Sequence, residues 1–151
     1  MNPNKNKALI ERYPFLLPRD WKTDQIPEAY DYSYTMLDDM PDGWRKAFGE
    51  ELCEAIREEL IKAGLLDQYR VIQIKEKYGE LVWYDSHGND TIRRSILRQY
   101  TQRSRHVCLE CCQPATKRSV GWWIAPWCDT CAKGLPHERF VPISELQLPT
   151  K

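Results

Sequence analysis

Three cysteines fall within five residues of the chain, in the stretch HVCLECCQPA at residues 106–115. Cys108 and Cys111 form a C-x2-C pair, and a second such pair, Cys128 and Cys131, follows after sixteen residues. Each pair can form a tight turn that directs two sulfur atoms at one metal ion, a spacing typical of structural zinc sites. We therefore predict one structural zinc ion held by these four thiolates, in preference to disulfides or free thiols.

Cys112 is the surplus thiol of the first pair. A pairing of Cys108 with Cys112 is an alternative, but the x2 spacing is commoner and matches the second pair. The backbone after such a turn often needs a positive φ, which favours glycine, so we expect Cys112 to occupy a glycine-like position outside the metal shell. His106 and His137 would become ligands only if one of the four cysteines were not used.

The residues between the two pairs predict a small finger. TKRSVGWWIAPW, at residues 116–127, is rich in β-branched and aromatic residues around a glycine and predicts a hairpin. A short helix is expected over Asp129–Lys133. The order of turn, hairpin, turn and helix resembles a treble-clef or zinc-ribbon finger.

Net charge and the N-terminus limit the environment of the protein. Lys plus Arg and Asp plus Glu each number 22 in a chain of 151 residues, which argues against a general nucleic-acid or membrane-surface binder while allowing a local patch. The first residues lack a signal-peptide core, and no apolar run approaches the length of a membrane span. We expect a cytoplasmic protein, where reduced cysteines hold metals rather than form disulfides.

The charges are nevertheless segregated. Residues 24–67 contain twelve acids against four bases, whereas residues 93–118 contain seven bases against Glu110 alone. We expect a partner-binding surface built from the basic residues and two tryptophans: Arg93, Arg94, Arg98, Arg103, Arg105, Lys117, Trp122 and Trp123. The same arginines could instead pair with the chain's own acids, within the monomer or across a homodimer.

Residue periodicity predicts an α+β fold. Residues 42–63 repeat large apolar residues every four positions, which predicts a helix capped by Asp42 and stopped by Gly64. Ile72 and Ile74 alternate with polar residues before a turn at Gly79, which predicts a β-hairpin. A second amphipathic helix is expected over residues 91–105, with its arginines on the outer face.

These elements suggest one compact domain in four parts. Residues 1–41 form an N-terminal arm, rich in proline and aromatic residues, which should pack on the body after six loose residues and a short helix over Lys7–Tyr13. Residues 42–105 form a helix-hairpin-helix core. Residues 106–135 form the zinc finger and residues 136–151 a tail.

Several motifs resemble those of a group of small, mostly uncharacterised phage and prophage proteins. VIQIKEKYGELVWY, CLECCQPA, GWWIAPWCDTCA and MPDGWRKAFGEELCEAI carry the resemblance, which covers about residues 40–132. The chain departs from the group at Cys112, where the group has glycine, at Glu80 in the hairpin turn, and at Cys131, where many relatives have histidine. The resemblance implies a bacteriophage origin and a structural zinc, and it implies no activity.

We interpret the chain as a non-enzymatic, zinc-stabilised protein-binding module, a phage accessory protein that modulates or inhibits a bacterial protein, such as a defence component. The alternatives are a nucleic-acid-binding finger that uses the arginine helix at residues 91–105, an acidic DNA mimic that uses residues 24–67, and a nuclease-like enzyme. The polar cluster in residues 85–90 has a nuclease-like composition, but a polar turn is the better interpretation of it.

Overall fold

The computed structural model describes residues 2–120, 123–133 and 140–142, and it has the predicted α+β composition. The helices are α1 (Pro3–Arg12), α2 (Asp42–Trp44), α3 (Glu50–Ala63), α4 (Arg98–Ser104) and α5 (Asp129–Lys133). The strands are β1 (Arg70–Lys77), β2 (Glu80–Ser86), β3 (Thr116–Val120), β4 (Trp123–Trp127) and β5 (Phe140–Pro142). Strands β1 and β2 form one antiparallel sheet, and the order β4-β3-β5 forms another.

The first helix begins earlier than predicted. The Asn2 side chain accepts a hydrogen bond from the Asn4 backbone at 2.8 Å, and Pro3 lies in the first turn, where its missing N–H has no cost. Asn6, expected in a loose tail, is fully buried and donates from its side chain to the carbonyl of Tyr32. The expectation of six loose residues was therefore wrong.

The segment after α1 packs on the body through its aliphatic residues and only part of its aromatic ones. Short 3₁₀ turns at Pro14–Leu16 and Met36–Asp39 bury Phe15 and Leu37 almost completely. Trp21 lies between them and is 71% exposed, so the expectation that the aromatic residues of this segment are buried fails there.

The helix predicted over residues 42–63 runs from Asp42 to Ala63, with a π-helical turn at Arg45–Gly49 between α2 and α3. The apolar stripe is confirmed, since each of its members is at most 1% exposed: Trp44, Phe48, Leu52, Ile56 and Leu60. Gly64 ends the helix with φ +70°, as predicted. The cap assigned to Asp42 was wrong, because Pro41 occupies the N-cap position and Asp42 is the first helical residue.

The predicted hairpin is formed by β1 and β2, and its turn contains Tyr78 and Gly79, both with positive φ. A β-bulge between Val71 and Gln73 interrupts the predicted alternation. Ile72 is the extra residue and is 40% exposed, whereas Val71 and Ile74 face the core.

The helix predicted over residues 91–105 consists of a π-helical segment, Thr91–Leu97, followed by α4. Its apolar face is buried through Ile92, Leu97 and Tyr100, as expected. Ser104 is fully buried and its hydroxyl accepts a hydrogen bond from the Leu81 backbone at 3.0 Å, which fastens the helix to β2. Within the described ranges, no helix is both long and apolar enough to span a bilayer.

Candidate metal centre

The turn at Cys108 and Cys111 is built by backbone hydrogen bonds. The Cys108 N–H donates to the carbonyl of Gln113 at 2.8 Å, and the Cys112 N–H donates to the carbonyl of Cys108 at 3.3 Å. Cys112 has φ +69°, so it occupies the glycine-like position predicted for it. This backbone fold turns the Cys108 and Cys111 side chains toward the second pair.

The four predicted ligands converge. The sulfur atoms of Cys108, Cys111, Cys128 and Cys131 all lie within 4.8 Å of one another, with 3.5 Å between those of Cys111 and Cys128. Thiolates bound at about 2.3 Å to one zinc ion are about 3.8 Å apart in a regular tetrahedron. The arrangement can therefore hold one metal ion through four sulfur ligands, and Cys112 is outside the group.

A backbone hydrogen bond stabilises negative charge on one of these sulfurs. The N–H of Cys131 points at the Cys128 sulfur at 3.3 Å, and this contact lowers the pKa of Cys128 to about 7. A thiolate is the metal-binding form of cysteine, so this contact favours the ligand form of Cys128. Burial has the opposite effect on Cys131 in the same turn and raises its pKa.

The first cysteine turn is held directly against the start of the long helix. The Gly43 N–H donates to the carbonyl of Leu109 at 2.6 Å, and the Trp44 indole N–H donates to the carbonyl of Val107 at 2.8 Å. A Cβ atom on Gly43 would lie 1.9 Å from the carbonyl oxygen of Cys108. Only glycine permits this approach, a role that the sequence did not reveal.

The tip of the β1–β2 hairpin also contacts the finger. A Cβ on Gly79 would lie 3.1 to 3.3 Å from atoms of Lys117, Ala125 and Ile124. Next to it, the carboxylate of Glu80 accepts from Lys117 at 3.1 Å. The finger thus contacts both the helix start and the hairpin tip.

His106 and Cys53 do not join the group of four sulfur ligands formed by described residues. His106 is exposed, and its carbonyl accepts from the Ala115 backbone. His137 lies outside the described residues. Cys53 is fully buried in α3, like a small apolar residue, and burial raises the pKa of its thiol.

Comparison with known proteins adds no assignment to this geometry. The chain matches no protein-family model, no curated protein and no solved structure.

Three arginines of the predicted basic surface form ion pairs with acids of the same chain. Arg103 contacts Glu51 of α3 at 2.5 Å, which is the intramolecular pairing considered as an alternative above. Its guanidinium also lies 5.4 Å from the centre of the Phe48 ring. Arg105 pairs with Glu80, and Arg93 makes a local pair with Asp90 at 3.1 Å.

Two arginines of the predicted surface have no side-chain partner among the described residues. Arg94 and Arg98 are exposed, and neither side chain has an ion pair or hydrogen bond with any described residue. They are four residues apart and so lie on one side of the helix.

One tryptophan of the predicted surface is half exposed and already has contacts within the chain. Trp123 is 49% exposed, but its ring packs edge-on against Trp127 and its N–H donates to Glu76. Trp122 lies outside the described residues. Trp123 therefore already has partners on two sides.

The polar cluster at residues 85–90, which begins in the last two residues of β2, has structural partners. The hydroxyl of buried Tyr69 donates to Asp85 at 2.5 Å. The Asn89 side chain accepts a hydrogen bond from the Ile92 backbone at the start of the helix at residues 91–105. These contacts agree with the interpretation of this segment as a polar turn.

Proposed function

We propose that the chain is a zinc-stabilised module that binds a protein partner through the helix at residues 91–105. The observation that carries the proposal is the exposed pair Arg94 and Arg98, which has no acidic partner among the described residues although the chain contains 22 acids. Charges left unpaired in a protein with segregated charge fit an acidic surface on another molecule.

The metal has a structural role in this proposal. Four thiolates complete the shell of zinc and leave no position at which a water molecule could be activated, unlike catalytic sites with three protein ligands. Zinc fits the donor set because closely spaced thiolates favour it over the harder divalent cations. The ion would fix both cysteine turns, and through Gly43 and Trp44 it would fix the finger to the start of the long helix.

The biological setting follows from the motif resemblance and is part of the same proposal. The hairpin and cysteine motifs resemble those of phage and prophage proteins, and we place the chain among phage accessory proteins acting in the bacterial cytoplasm. Its partner would be a bacterial or phage protein, and its action would be to modulate or inhibit that partner.

The test is affinity capture from bacterial lysate with the immobilised wild type and two charge-reversal variants. Arg94→Glu with Arg98→Glu removes the unpaired cations, and Lys46→Glu with Lys62→Glu is the matched control, since both lysines are exposed on the long helix. We expect a specific protein that is retained after nuclease treatment, lost in the arginine variant and kept in the lysine variant. Equal capture by both variants would contradict the proposed surface.

A further inference from the structure

The outer face of the β1–β2 hairpin has an unusual composition. Cross-strand partners share one face of a sheet, and here three pairs do so: Gln73 with Tyr84, Lys75 with Val82, and Lys77 with Glu80. The opposite face is buried through Ile74, Leu81 and Trp83. Tyr84 remains 45% exposed on the outer face.

Lysine and tyrosine side chains are adjacent on this surface. The Lys75 ammonium lies 5.5 Å from the centre of the Tyr84 ring, and the Lys77 ammonium lies 5.9 Å from that of Tyr78. Tyr78, at the tip, is 74% exposed. The face therefore presents two aromatic rings, each with a cation beside it.

Two of the three carboxylates of the same two strands are directed to the opposite face. Glu76 accepts from the Trp123 indole N–H at 2.6 Å, and Asp85 accepts from the Tyr69 hydroxyl. Their strand positions, next to Leu81 and after Trp83, belong to the core-facing register. These acids do not neutralise the lysines of the outer face.

Glu80 is the acid on the outer face, and it is already paired. Its carboxylate lies 2.8 Å from Arg105 and 3.1 Å from Lys117. Two cations against one carboxylate leave this end of the face positive. The local charge is thus basic although the net charge of the chain is zero.

We propose that this face binds single-stranded nucleic acid, a site separate from the arginine helix. Bases stack on Tyr84 and Tyr78, and phosphates contact Lys75 and Lys77, the combination of aromatic platform and cations that holds single strands without sequence preference. An acidic protein segment would use the lysines but would gain little from the exposed rings. A duplex would hide its bases from the tyrosines.

The test is fluorescence anisotropy of labelled oligothymidylate and oligouridylate of about 16 nucleotides, titrated with the full chain at low salt. Two phosphate contacts predict a slope near −1.4 for log affinity against log salt concentration, since each single-strand contact contributes about −0.7. Tyr84→Thr, which keeps strand propensity, should weaken binding about tenfold, within the range for loss of one stacked base. Tyr84→Phe should retain it.

Charge variants separate this site from the proposed protein-binding surface. Lys75→Glu with Lys77→Glu should abolish binding, whereas Arg94→Glu with Arg98→Glu and the control Lys46→Glu with Lys62→Glu should retain it. No binding by the folded wild type would overturn the inference. The inference would also be overturned if the protein bound duplex equally well, or if polyglutamate displaced the labelled oligonucleotide as effectively as unlabelled oligonucleotide does. Loss of oligonucleotide binding in the arginine variant alone would overturn it as well.

Discussion

The Gly43→Ala substitution would place a methyl carbon 1.9 Å from the carbonyl oxygen of Cys108, where real contacts are at least 3.0 Å. The obstacle is backbone, so the cysteine turn must move away from the helix. That movement would break the hydrogen bond from Gly43 to Leu109 and the one from the Trp44 indole to Val107. A buried N–H left without an acceptor costs about 1–3 kcal/mol, and an ordinary hydrogen bond contributes about 1 kcal/mol.

Alanine at an ordinary helix position would instead stabilise the protein by about 1 kcal/mol relative to glycine. We therefore expect a net loss of about 2–3 kcal/mol in the free energy of unfolding for Gly43→Ala, with weaker zinc retention. Urea denaturation and competition with a chromogenic chelator measure the two quantities. Gly49→Ala is the matched control, because its Cβ would meet only side-chain atoms, 3.2 Å from Arg45 at the nearest. Equal stability of the two variants would refute the proposed clamp.

Three other predictions concern the body and its contacts with the finger. Removing zinc with a chelator should lower the unfolding midpoint but leave most of the helical circular dichroism, because the long helix has its own buried apolar stripe; complete loss of that signal would show that the core depends on the metal. Hydrogen bonds from Arg12 and Tyr13 lower the pKa of Glu54. Its contribution to stability is therefore present above its unfolded pKa of about 4.3 and is lost as the pH falls through its folded pKa. Glu54→Gln should flatten this part of the profile of stability against pH, and an unchanged profile would count against the contact. Gly79→Ala should destabilise the protein more than Gly64→Ala, since both have positive φ but only the Gly79 site is crowded by the finger; equal unfolding free energies would argue against the hairpin-finger contact.

The elements that were predicted correctly depend on local pattern. A four-residue repeat from Trp44 to Leu60 needs only the geometry of a helix to form a buried stripe, and Gly64 is the residue that tolerates the left-handed helix stop. Each C-x2-C pair lies within the tight turn that it forms, so the approach of the four sulfur atoms to one another could also be predicted. The position of Cys112 followed from the backbone that such a turn requires.

The features that were missed depend on contacts between distant segments. In the sequence, Gly43 is only a residue of low helix propensity. Its role depends on the cysteine turn, which is more than sixty residues later in the chain and packs against it. The bulge at Ile72 is invisible in a pattern of alternating residues, because the extra residue is itself apolar. Arg103 could be assigned to a basic surface or to an internal pair only once Glu51 was placed beside it.

The metal content of the purified chain tests the central claim most directly. Elemental analysis should find one zinc ion per wild-type chain and per Cys112→Gly chain, because Cys112 lies outside the sulfur group and its φ of +69° suits glycine. Cys108→Ser and Cys131→Ser, each lacking one of four ligands, should lose zinc to a competing chelator under conditions in which the wild type retains it. Absence of zinc from the wild type, full retention in both serine variants, or loss in Cys112→Gly alone would contradict the assignment.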